Sequence, residues 1–132
     1  MRIAFDLTAI LGSLGKNRGI GNYAVAQFGA MMRQNSEAQF YAFNYIEDVS
    51  VAEIFGDPDN LTEDFFWTGE DHQLVGELEY KEVFGNIVRS FLAKNEIDVF
   101  YITSPFEDGY LPYEVSWFDK VKVVATVYDI IP

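Results

Sequence analysis

The chain of 132 residues suits a single domain, and with 49% hydrophobic and 17% aromatic residues it can bury about two thirds of its unfolded surface around one core, which argues against disorder. Nine basic against twenty-one acidic residues leave a net charge of −12, so attraction for phosphate backbones is missing, and nucleic acid and anionic membrane surfaces are disfavoured as partners. The absence of cysteine excludes disulfides, thiolate catalysis and cysteine metal sites, and fits a cytoplasmic location.

The first strand is expected at Arg2 to Leu7, and its Asp6 comes too early for a signal peptide. A carboxylate inside a strand needs a partner, and Asp6 is read as structural, orienting a loop N–H or Arg18. A glycine-studded loop follows, Gly12-Ser13-Leu14-Gly15-Lys16-Asn17-Arg18-Gly19-Ile20-Gly21-Asn22-Tyr23, and opens a helix that runs to about Arg33. Glycine lets backbone approach a ligand closely, and a helix start supplies unpaired N–H donors and partial positive charge for an anionic or hydroxyl-rich ligand. Gly19-Ile20-Gly21-Asn22-Tyr23-Ala24 satisfies G-x-G-x-x-A, yet the spacing argues against dinucleotide binding. In that fingerprint the first glycine follows the strand at once and an acid closes the second strand, whereas here Gly19 stands far beyond Leu7 and Glu47-Asp48 lie past the second strand.

In the first helix Ile20, Ala24, Phe28, Met31 and Met32 form an apolar stripe, with Gln27, Arg33 and Gln34 toward water. The second strand is expected at Gln39 to Tyr45. From Ile46 to Gln73 the pattern weakens to a turn cluster, Gly56-Asp57-Pro58-Asp59-Asn60, and a short strand around Phe65-Phe66-Trp67. The acids of this stretch are dispersed, read as a solvated surface, and lack calcium-loop spacing. His72, the only histidine, is read as solvated. A second helix runs from about Leu74 to Lys94, with Phe84, Ile87, Val88, Phe91 and Leu92 on one face, and two further strands are expected at Asp98 to Thr103 and Lys122 to Tyr128. No apolar run reaches transmembrane length.

Strands alternating with helices predict a Rossmann-like, doubly wound and mostly parallel sheet in a three-layer sandwich, with Ile3, Phe5, Tyr41, Phe43, Val99, Tyr101, Val123 and Ala125 buried between helices. Ligands of such sheets bind outside the strand carboxyl ends, where strand order reverses. The loop after Leu7, the segment from Thr103 to Gly109 and the segment from Tyr128 to Pro132 are expected to meet there.

Four pieces in this order, Met1-Arg2-Ile3-Ala4-Phe5-Asp6, Arg18-Gly19-Ile20-Gly21-Asn22-Tyr23, Asp98 through Pro105, and Val123 through Pro132, resemble the N-terminal domain of a group 1, family-4 glycosyltransferase of the GT-B fold. The resemblance implies that residues 1–132 are the acceptor-side domain of a retaining transferase, with a C-terminal donor-binding domain absent from this chain. The partners would be a nucleotide-sugar and a glycan, lipid-linked or protein acceptor, with no further cofactor and no metal. Arg18, Gly19, Gly21, Tyr23, Ser104 and Tyr128 would bind substrate, with Arg18 neutralising developing phosphate charge. Asp129 would be the catalytic carboxylate, orienting rather than acting as general base. The family usually has His-Asp where this chain has Tyr128-Asp129; tyrosine does not gain a proton near neutral pH, so either the site is altered or activity is lost. The alternative is a noncatalytic interaction or glycan-binding module that uses aromatics such as Tyr110, Tyr113, Trp117 and Phe118.

Overall fold

The computed structural model describes residues 1–12, 19–46, 49–65, 78–105 and 113–127. Five parallel strands form one sheet in the order β3-β2-β1-β4-β5: β1 Arg2–Asp6, β2 Gln39–Asn44, β3 Leu61–Phe65, β4 Val99–Ile102 and β5 Lys122–Ala125. β1 sits in the middle because its residues are apolar on both faces, and it pairs Phe5 with Ala42 on one side and with Tyr101 on the other.

Alternation along β1 sends Ile3 and Phe5 to one face and Ala4 to the other, so each face has its own core. Helix α2, Gly19–Gln34, covers the first face through Ala24, Phe28 and Met32, with Phe5 stacked on Phe28 at 4.3 Å between ring centroids. Helix α3, Leu78–Lys94, covers the second through Phe84, Val88, Phe91 and Leu92, and Phe43 meets Phe91 at 4.8 Å. The α/β Rossmann-like, doubly wound three-layer architecture is therefore present. No helix among the described residues is long and apolar enough to cross a membrane.

Several local expectations differ. Directly after β1 the chain turns into a short buried helix, α1 Thr8–Leu11, which the Gly12 N–H closes onto the Thr8 carbonyl at 2.9 Å. Gln27, expected in water, is half-buried, and its Oε1 is enclosed without a hydrogen-bond partner among the described residues. The turn cluster forms as read: Gly56 takes φ 80°, a left-handed value that costs glycine little, and the chain then enters β3 at Leu61, earlier than Phe65-Phe66-Trp67 suggested. Val123 and Ala125, expected in the core, are exposed, because β5 is an outer strand that no described helix covers; Val99 and Tyr101, on the interior strand β4, are half-buried, with Tyr101 edge-on to Phe28 of α2 at 5.3 Å.

Candidate functional site at the strand-order reversal

Strand order reverses between β1 and β4, since the chain leaves β1 toward β2 and returns across the sheet to β4. At the carboxyl end of this pair stands Asp6, fully buried. Its Oδ1 accepts hydrogen bonds from the Thr103 N–H at 2.9 Å, the Thr103 hydroxyl at 2.6 Å and the Thr8 hydroxyl at 3.0 Å, while Oδ2 accepts from the Tyr113 hydroxyl at 2.8 Å. With its proton given to Asp6, the Thr103 Oγ1 is left to accept the Ala9 N–H at 3.0 Å. Each hydroxyl proton has a place, and a carboxylate with four donors is the matching acceptor.

Burial nevertheless pushes the Asp6 carboxyl above its ordinary range, against the opposite pull of the donors from Thr103, Tyr113 and Thr8. The Tyr113 phenol is pushed well above its ordinary range, first by burial and then by the adjacent Asp6 and Tyr45. Enclosed and hydrogen-bonded among themselves, these groups form a scaffold beneath the site. Asp6 is structural, as the sequence suggested, but its partners are Thr103, Thr8 and Tyr113; Arg18 lies outside the described residues.

Of the sequence-derived candidates, Ser104 stands two residues beyond the end of β4 and is buried, its carbonyl 3.5 Å from the Thr8 hydroxyl. Gly19 and Tyr23, four residues apart at the start of α2, are both exposed, whereas Gly21 between them is buried. A Cβ added to Gly19 would meet nothing within 4 Å among the described residues, so no packing there demands a glycine. Arg18, His72, Tyr110, Tyr128 and Asp129 lie outside the described residues.

Tyr113, Trp117 and Phe118 are buried in the α3-side core, with Trp117 edge-on to Phe84 at 5.7 Å. They present no aromatic surface for a glycan or partner, because the 3₁₀ turn Val115–Phe118 packs them inward against α3.

A groove of about 780 Å³ lies at the opposite, amino-terminal edge of the sheet, lined by Met1, Ile3, Met31, Asn35, Val99 and Tyr101. Its lining carries no buried polar cluster comparable to that around Asp6, and the strand-end geometry outweighs volume in locating the site. No protein-family model, curated protein or solved structure matches the chain.

Proposed function

We propose that the chain is the acceptor-side domain of a retaining GT-B glycosyltransferase, which moves a sugar from a nucleotide-sugar to a glycan, lipid-linked or protein acceptor. The observation that carries this reading is the placement of two motif-bearing segments on the two strands flanking the order reversal: the α2 start at Gly19 follows β1, and Thr103-Ser104 follow β4. Residue resemblance supplies the reaction; fold alone would not.

In this reading the start of α2 at the exposed Gly19 offers N–H donors and a positive dipole end to the leaving diphosphate as the glycosidic bond breaks, and Arg18 adds a full charge. Gly19 keeps the approach clear of a side chain, Tyr23 and Ser104 flank the acceptor, and the resemblance gives the contact with the transferred sugar to Tyr128 and an orienting role to Asp129. The donor pocket belongs to a second domain. Half a cleft cannot hold both reactants in line, and such positioning accounts for as much as about 7–11 kcal/mol of a barrier.

Gly19→Val tests the reading, because a Cβ at this position meets nothing within 4 Å among the described residues. In protein expressed from the entire reading frame, radiolabelled transfer from a panel of nucleotide-sugars should fall about a hundredfold or more with Gly19→Val, while the melting temperature moves by no more than about 2 °C. The 132-residue chain alone should melt cooperatively and give no calorimetric heat with the same donors. Absence of transfer by the wild-type protein, or transfer indifferent to Gly19→Val, refutes the proposal.

A further inference from the structure

The Asp6 carboxylate gathers donors from three segments of the chain. Thr8 is two residues away, Thr103 ninety-seven and Tyr113 one hundred and seven. Each belongs to a different stretch at the carboxyl edge of the sheet: Thr8 begins α1, which packs on α2; Thr103 immediately precedes Ser104; and Tyr113 leads into the 3₁₀ turn beneath α3. Thr103 then passes the link on, since its hydroxyl accepts the Ala9 N–H.

We propose that Asp6 is a positioning residue whose carboxylate holds Thr8-Ala9, Thr103-Ser104 and Tyr113 as one rigid unit, fixing the spacing between the α2 start and the end of β4. The role in a substrate cleft rests on the glycosyltransferase reading above; the coupling itself does not. An isolated carboxylate buried in a sheet would relax toward water, and separate loops would find separate caps. Here a single side chain accepts from all three segments, so loosening any one donor leaves the others in place, whereas loosening the acceptor releases them together. An amide at position 6 keeps one acceptor oxygen and turns the other position into a donor that faces hydroxyls already committed.

Site-resolved amide exchange on the 132-residue chain tests the coupling without any substrate. In Asp6→Asn the Ala9 and Thr103 amides should lose about tenfold or more of their protection relative to Phe91 in α3 and Ala42 in β2, and Trp117 should loosen with them. Thr103→Val should release Ala9 and spare Trp117; Tyr113→Phe should do the reverse. Uniform loss across all five amides, or unchanged protection at Ala9 in Thr103→Val, overturns the proposal, and the latter variant decides it should Asp6→Asn fail to fold. In the transfer assay Thr103→Val, which loosens the segment carrying Ser104, should raise the acceptor KM several-fold with the donor KM unchanged; equal changes in both overturn the positioning role. If the wild-type protein transfers no sugar, the glycosyltransferase reading falls and the exchange pattern alone decides the coupling.

Discussion

Gly85 lies in the middle of α3, where alanine is ordinarily the better helix former by about 1 kcal/mol. Here a Cβ would sit 2.7 Å from both Cε2 and Nε1 of Trp117 and 2.9 Å from Cζ2, about 1 Å inside ordinary contact distance. The indole has little room to withdraw. It is buried, and edge-on to Phe84, which is itself fully buried against Tyr45 at 4.8 Å and Tyr113 at 5.8 Å. Relief must come by pushing the Val115–Phe118 turn outward, which exposes apolar surface on Trp117 and Phe118.

Overpacking costs about 1–3 kcal/mol, and against an indole with so little room to withdraw the upper part of that range, about 2–3 kcal/mol, applies; offset by the propensity gain it leaves Gly85→Ala less stable by about 1–2 kcal/mol, a fall of about 3–8 °C in Tm for a chain of this length. Urea denaturation followed by circular dichroism measures it. The control is decisive: in a Trp117→Phe background the larger ring is gone, and Gly85→Ala should turn stabilising by about 0.5–1 kcal/mol. A Gly85→Ala variant as stable as the wild type, or a cycle in which both backgrounds respond alike, refutes the steric argument.

Asn60 is buried with its Nδ2 within 3.2–3.3 Å of the carbonyls of Met32, Asn35 and Ala38, where α2 ends and turns into β2; Asn60→Ala strips these of their shared donor and should cost about 1–3 kcal/mol in urea denaturation. For Asp6 the sign of the pH effect follows from its raised folded value. Between the ordinary value of 3.8 and the folded one, the unfolded chain has lost the proton while the folded chain keeps it, so stability from this group is present at low pH and is lost as pH rises through the folded value. The stability of the wild type relative to Asp6→Asn should therefore decline from about pH 4 upward and then level off, and a difference that grows with pH would contradict the dominance of burial over hydrogen bonding.

Four strands are legible in the sequence because Phe, Tyr, Val and Ile crowd them and because glycine or polar clusters bound them. β3 begins earlier than the pattern suggests, since Leu61-Thr62-Glu63-Asp64-Phe65 carries acids that look like loop. Those acids have local duties that no periodicity discloses: Glu63 Oε1 accepts the Val51 N–H at 2.7 Å and the Ser50 hydroxyl at 3.0 Å, and Asp64 Oδ2 accepts from Asn95 at 2.9 Å. β5 departs in the opposite sense. Its valines promise a buried strand, yet burial depends on what covers the outer edge, and Val123 and Val124 lie exposed. The aromatics expected at the surface differ for a related reason. Tyr113, Trp117 and Phe118 sit amid polar neighbours in sequence, and only the packing of their turn on α3 takes them inside.

Asp6 is legible as a problem and not as a solution. An acid among Ile3, Phe5 and Leu7 has to be paired, but two of its partners come from beyond β4, a distance in sequence at which no spacing rule operates. Its energetics also separate cost from consequence. Burial disfavours the ionised form, so the carboxyl does not add to stability in proportion to its four hydrogen bonds. Deleting it is another matter. An apolar side chain in its place would take from the Thr103 N–H and from the Thr103 and Tyr113 hydroxyls the acceptor they share, while Thr8 keeps the Thr103 hydroxyl and the Ser104 carbonyl within reach; a buried group left without an acceptor costs about 1–3 kcal/mol unless the segments part to admit water. Parting them would change the spacing between the end of β4 and the approach to α2, the two segments that flank the order reversal. A buried acid at this point therefore carries the desolvation cost of an ionisable group in the core, and in return the arrangement of the carboxyl edge is fixed by a single acceptor.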